Sequence, residues 1–403
     1  MFRQKNIGWR EVKIAALFIF LISFSLIFLL QGRFHEVSLS GECGSLDGLG
    51  YIERELCWYG QVKKEIKIGG VGRALGLTKR LYERYPDFAE GCHDVMHLVG
   101  NEAYKEYKKG EDFNFSEETT YCGYGFYHGF IEAMLYTTGD YSEVRNFCES
   151  ANKNLEKDIE SPNAIYSCYH GIGHSTFEAH DPRIWGDEVK MVDPGIKSCE
   201  EVTLGLEEEK TKQCVTGIFN ALGIAYANEE YKLDMKEDDP VWVCRRYKTL
   251  YKKHCFIEVT IAWIYKEMGS FDYKFDDAAL FIEKLNDIEG EKISMFGLSS
   301  DYTRLKKDNF DGDEMIENCR SIKKSLFKDC MEGTVWGLLG WGKPGEEYKG
   351  AVSFCNLDSL SSEERQDCFK YFLPILGTIY STEEKESICN KQIPSLYKSY
   401  CNP

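Results

Sequence analysis

From about Gly50 onward, apolar positions recur at helical spacing, and long alternating runs of the kind a strand leaves are missing. Val71 to Tyr85 shows the pattern: Leu75, Leu77 and Leu81 share a face, while Lys79, Arg80 and Arg84 lie off it. Pro86 ends that segment. The chain has nine prolines in 403 residues, so such breaks are few. Ahead of this region the pattern is different. Ile14 to Leu30 run for 17 residues without a charge, which at about 1.5 Å per residue spans about 26 Å, just enough for a bilayer. Arg3, Lys5, Arg10 and Lys13 come first, and a positive flank stays in the cytoplasm. The expected layout is a cytoplasmic tail (1–13), a transmembrane signal-anchor (14–30), a juxtamembrane linker with Ser and Gly (31–48), and an extracytoplasmic helical domain (49–403). A cleavable signal peptide is the rival, but its apolar core is usually shorter, and no clear small-x-small site follows Leu30.

The cysteines give the helical region a rhythm. Neighbours along the chain pair as Cys43/Cys57, Cys92/Cys122, Cys148/Cys168, Cys199/Cys214, Cys244/Cys255, Cys319/Cys330, Cys355/Cys368 and Cys389/Cys401. The second member of each pair from Cys122 to Cys368 opens an apolar helical run, as in Cys214-Val-Thr-Gly-Ile-Phe and Cys330-Met-Glu-Gly-Thr-Val-Trp. These run-starting cysteines are 46, 46, 41, 75 and 38 residues apart. The 75 reads as two units with one staple lost. A unit of roughly 40 residues is the length of a helical hairpin in a repeat array. One hairpin cannot bury its own apolar face, so hairpins stack. The expected fold is therefore all-α: stacked α-hairpin repeats, an α/α solenoid or toroid, stapled by sequential disulfides. A closed loop of about 15 residues is worth up to ~3 kcal/mol.

Composition narrows the function. The net charge of -17 excludes a nucleic-acid partner, which wants a basic face. Sixteen cysteines without a Cys-x-x-Cys pair point to an oxidising compartment rather than to zinc ribbons or thioredoxin-like chemistry. There is no His-Glu-x-x-His, no Gly-x-Ser-x-Gly, no phosphate loop and no haem-attachment motif. Residues 270–315 lack cysteine and are acidic, an apparent insertion. Asp308 to Glu314 does not fit an EF-hand spacing and reads as a solvated loop. Asn114-Phe115-Ser116 is a glycosylation sequon.

The chemistry gathers in residues 92–180, which hold most of the eight histidines. Cys122 is followed six residues later by His128, then by Glu132-Ala133. Cys168 is followed by His174 and Glu178-Ala179 at the same spacing. Cys92 leads to His97 and Glu102-Ala103 with one residue fewer before the His. One turn before the repeated His stand His93, Tyr124 and His170. Cys214 keeps the frame with Asn220 in place of the His, and Ile261 and Trp336 follow Cys255 and Cys330. Equivalent positions on a curved array converge, so His93, His97, His128, His170 and His174, with Asp94, are the candidate ligands of a divalent metal. Zinc leads, since three imidazoles and an open position make a catalytic site; iron is second, and copper, with Met96 nearby, is allowed. Two ions are also conceivable. Glu132 and Glu178 are the candidate general bases, or else carboxylates that orient imidazoles. Gly123, Gly125, Gly129, Gly171 and Gly173 either open a cleft or let helices pack closely, and packing is the simpler account. The expected function is a membrane-anchored, metal-dependent enzyme, a zinc hydrolase or an iron oxidase. The alternatives are a scaffold that binds a protein or glycan on its concave, aromatic-rich face, and a metal-capture protein.

Overall fold

The structure, a computed structural model, describes Cys43 and residues 51–110, 116–154, 162–178, 182–269, 273–306, 309–343 and 345–401. Among the described residues every regular element is helical. The first half holds α1 (Tyr51–Arg84), α2 (Pro86–Lys108), α3 (Gly125–Thr138), α4 (Tyr141–Asn154), α5 (Pro162–Glu178), α6 (Glu188–Val202) and α7 (Glu208–Ala227). The second holds α8 (Thr249–Met268), α9 (Phe275–Ile282), α10 (Ile288–Leu305), α11 (Gly312–Ser321), α12 (Phe327–Gly340), α13 (Tyr348–Cys355), α14 (Ser362–Ile379) and α15 (Thr382–Gln392). The segment expected from 71 to 85 is the second half of α1, which breaks at Gly69 and Gly70. Its buried face is Val71, Ala74, Leu75, Thr78 and Leu81, with Leu77 at the edge. Pro86 opens the next helix, where its missing N–H costs nothing.

The disulfides follow the sequential order. Cys148–Cys168 ties α4 to α5, Cys199–Cys214 ties α6 to α7, Cys319–Cys330 ties α11 to α12, and Cys355–Cys368 ties α13 to α14. Cys244, on the short turn Trp242–Arg246, joins Cys255 of α8, and Cys389 of α15 joins Cys401. Cys92 of α2 joins Cys122 just ahead of α3. Cys43 and Cys57 are disulfide-bonded as well, and no cysteine is free. Such a load suits an oxidising, extracellular environment.

The stretch expected as an acidic insertion, about 270–315, is largely helical among its described residues, and Gly312 to Glu314, expected in a solvated loop, open α11. The stretch holds α9 and α10, a hairpin without a staple, and the start of α11. Gly297 of α10 packs against Ile257, two residues past Cys255, as Gly217 packs against His170, two past Cys168. That register puts Ser294 at the place of the lost cysteine, where it shares a hydrogen bond of 2.8 Å with Thr260.

Successive helices α2, α3, α5, α7, α8, α10 and α12 pack side by side. α3 is apolar on every side and buried nearly throughout, with Glu132 the partly open exception before the last turn. Distant parts of the array also meet. The Tyr82 hydroxyl of α1 donates to the carbonyls of Trp341 and Gly342 at 3.4 and 3.2 Å, and α14 packs on α5. Among the described residues no helix is long and apolar enough to cross a membrane. The expected tail, anchor and linker (1–13, 14–30 and 31–48), and Asn114 and Phe115 of the sequon, lie outside the described residues.

Candidate metal centre

Three adjacent helices bring the five imidazoles together. His93 and His97 stand one turn apart on α2, His170 and His174 one turn apart on α5, and His128 sits between them on α3. Ring centroids are 4.9 Å apart for His93–His97, 4.9 Å for His93–His128, 4.8 Å for His128–His170 and 4.9 Å for His170–His174.

Glycines set this closeness. A Cβ on Gly125 would lie 2.4 Å from the His93 carbonyl oxygen, and one on Gly129 would lie 2.0 Å from that of His97. A Cβ on Gly171 would meet the His128 Cα at 3.0 Å, and one on Gly217 the His170 carbonyl at 2.0 Å. The backbones touch at the histidines themselves, because no side chain intervenes. The glycines serve packing, as the sequence suggested, and packing is what makes the imidazoles converge.

The nitrogens form a shape with chemical meaning. His97 Nε2 and His93 Nε2 are 3.2 Å apart, and His128 Nδ1 is 3.2 Å from His93 Nε2 and 3.3 Å from His97 Nε2. Tetrahedral zinc with bonds of about 2.0–2.1 Å places its donors roughly 3.3–3.4 Å apart. The triangle is therefore close to one face of such a tetrahedron.

Proton placement strengthens the case. His93 Nδ1 lies 2.9 Å from the Cys122 carbonyl, which only accepts, so Nδ1 carries the hydrogen and Nε2 presents a lone pair. His97 Nδ1 faces the Glu132 carboxylate at 3.4 Å. The 3.2 Å contact of His93 Nε2 with His97 Nε2 is satisfied by a shared cation, by an added proton, or by an N–H of His97 in its other tautomer. An added proton is disfavoured near neutral pH: burial, then the neighbouring His97, holds His93 down at about 4. Burial and His93 hold His170 at about 3. Burial and the neighbouring His170 push His128 and His174 well below the usual range. Neutral imidazoles with fixed tautomers are good metal ligands.

The Cys122 carbonyl is aimed by an unusual turn. Cys122, Gly123 and Tyr124 are all left-handed, at φ 59°, 61° and 62°. For the two residues with side chains that conformation costs about 1–2 kcal/mol each. The Cys92–Cys122 disulfide and the packing of α3 hold it in place.

Glu132 and Asp94 stand differently toward the cluster. Glu132 spans the cluster from outside, with one oxygen 3.4 Å from His97 Nδ1 and the other 3.9 Å from His174 Nδ1. That is the position of a carboxylate that orients imidazoles, the second of the two roles the sequence allowed it. Asp94 is exposed and belongs to neither histidine group, since one residue along α2 turns about 100° away from the His93 face. Glu178 is the last residue of α5, and its side chain lies outside the described residues. Replacing Glu132 by glutamine is expected to weaken metal binding about 10–100-fold with little change in fold, checked by competition with a calibrated chelator.

Several residues the sequence did not single out stand near the five. The Trp341 ring is 6.1 Å from His93 at its edge, and the Arg304 guanidinium, paired with Asp301 at 2.8 Å, lies 5.4 Å from Trp341. Asn220, seen before only as the residue replacing the repeated His, hydrogen-bonds His174 and donates to Glu258 at 2.8 Å. Burial pushes the Glu258 carboxyl up to about 7, against the pull of the Asn220 N–H. Glu258 falls three residues past Cys255, where Gly125, Gly171, Gly217 and Gly333 stand after their own cysteines. That mismatch was visible in the alignment. His254, beside Cys255, is held at about 4 by burial and Lys253.

Compared with known protein families, curated proteins and solved structures, the chain finds no match. The site is read from its own geometry.

The depressed imidazoles imply acid sensitivity in metal-free protein. Between pH 6.5 and about 4 the unfolded chain binds protons at these histidines and the folded one does not. Stability is full above 6.5 and falls as pH drops, by about 1.4 kcal/mol per pH unit for each such imidazole. Glu258 works the other way, gaining stability as pH falls through 7. Urea midpoints at pH 7 and pH 5 should show a net loss on acidification, and a smaller one in His254→Gln, which lies outside the ligand set.

Proposed function

We propose that the chain is a metal-dependent enzyme of an oxidising, extracytoplasmic compartment, held at a membrane by residues 14–30. The helical array is read as an α/α toroid, closed where Tyr82 meets Trp341, with the histidine cluster on its inner face. The observation that carries the proposal is the nitrogen triangle of His93, His97 and His128, whose edges of 3.2, 3.2 and 3.3 Å match donors on one tetrahedral ion. Every cysteine is oxidised, so thiolate ligation is unavailable and the donor set is imidazole. That set suits zinc first, then iron or copper.

Zinc held by His93, His97 and His128 would supply an activated water for a hydrolytic reaction. Glu132 would orient His97 and His174. Glu178, one turn beyond His174 on the same helix, would take the proton of that water. Arg304 and Trp341 sit beside His93, where a substrate would approach.

The test is elemental analysis of the full chain made in an oxidising compartment, paired with thermal unfolding in chelator. Stoichiometric metal, and a melting point lowered by its removal, support the reading. Hydrolysis of ester, amide or phosphoester probes that disappears with the metal separates an enzyme from a metal-capture protein. No bound metal and no response to chelator leave a scaffold that binds a protein or glycan.

A further inference from the structure

We propose that the cluster is a two-metal centre, with one ion on His93, His97 and His128, a second on His170 and His174, and the His128 ring shared between them. The inference rests on the metal reading above and extends it.

One ion cannot serve all five rings. With bonds of about 2.1 Å, two donors on the same ion are at most about 4.2 Å apart. The candidate nitrogens fall instead into two groups, His93/His97/His128 and His128/His170/His174, each within 4.8 Å, and only His128 belongs to both. The second group has its own close contact: His170 Nε2 and His174 Nε2 are 3.1 Å apart, matching the 3.2 Å of His93 and His97. Each i, i+4 pair is thus a two-toothed jaw with its tips at ligand spacing, and the jaws come from helices on either side of α3.

His128 is placed for sharing. Its Nδ1 faces the first jaw. A nitrogen of the same ring also falls within 4.8 Å of those of His170 and His174. A ring that binds through both nitrogens gives up its N–H proton to solvent as the second ion enters. Glu132 supplies an independent sign of pairing. Its two oxygens reach one ligand of each jaw, His97 and His174, so a single carboxylate orients both sites. Two ions bridged by one imidazole stand about 6 Å apart, allowing 2.0–2.1 Å for each bond. That is wider than the 3.5–4 Å of a metal pair that clamps one displaced group. The second ion therefore tunes the first or takes a separate part of the substrate.

The experiment is metal stoichiometry of the full chain reconstituted with zinc and, separately, with copper(II). Wild type should hold two ions. His170→Gln/His174→Gln and His93→Gln/His97→Gln should each hold one, and copper-loaded wild type should show less electron paramagnetic resonance signal per copper than either variant. One ion in wild type, whatever the variants hold, overturns the two-metal proposal and leaves the simpler reading standing. No ion in wild type overturns both. Two ions with full, uncoupled copper signal refute the shared ring. If a variant fails to fold by circular dichroism, the wild-type stoichiometry and copper signal decide alone.

Discussion

Replacing His128 by alanine is expected to reduce bound metal to under a tenth of the wild-type content, the largest loss from any single change. The reason is position. His128 is the one imidazole that belongs to both nitrogen groups, and it stands on a buried helix between the two jaws. An ion present at a thousandfold over its dissociation constant stabilises the fold by about 4 kcal/mol. The variant should lose that increment. In chelator, wild type should lose it too, so the gap between metal-loaded and chelated protein closes only in the variant. Elemental analysis and urea unfolding with and without chelator check both points. A variant that keeps its metal would place the ion elsewhere.

The second large effect belongs to a residue that touches no ion. Gly129→Ala puts a methyl group 2.0 Å from the His97 carbonyl oxygen, where ordinary contact begins near 3.4 Å. The obstacle is backbone, so α2 and α3 must part by more than about 1 Å. Overpacking of this kind costs about 3 kcal/mol or more. The same shift carries His128 away from His93 and His97, beyond the roughly 0.5 Å that a site tolerates. Stability and metal should fall together. Gly72→Ala is the control: nothing lies within 4 Å of its added carbon, and an alanine inside a helix is worth about 0.5–1 kcal/mol over glycine. Equal midpoints for the two variants would contradict the packing account.

How far the sequence could be read depended on range. Disulfide pairing was legible because each staple closes a local connection, as Cys199–Cys214 and Cys319–Cys330 do. His128 and His174 were legible because a repeat frame puts equivalent residues on equivalent faces. The 75-residue interval was legible as two units with one staple lost, whereas the acidity of residues 270–315 hid the helices α9 and α10 inside it. Asp276, Asp277, Glu289, Asp313 and Glu314 fall in the first turns of α9, α10 and α11, and Gly297 and Ser294 keep the repeat. Asp94 lies outside both histidine groups because the next residue along a helix turns about 100° away. The double reach of Glu132 and the Asn220–Glu258 link could not be foreseen, since each joins helices whose spacing the glycines set in three dimensions. The left-handed run at Cys122–Tyr124 carries two residues that rarely adopt it, so composition gave no sign of it.

X-ray absorption at the metal edge of the full chain, purified from an oxidising compartment, probes the convergence of imidazoles most directly. The expected spectrum has at least three nitrogen neighbours at about 2.0–2.1 Å, the outer-shell scattering of imidazole rings, and no sulfur at 2.3 Å. A sulfur shell, an oxygen-only shell or no metal edge at all would contradict it.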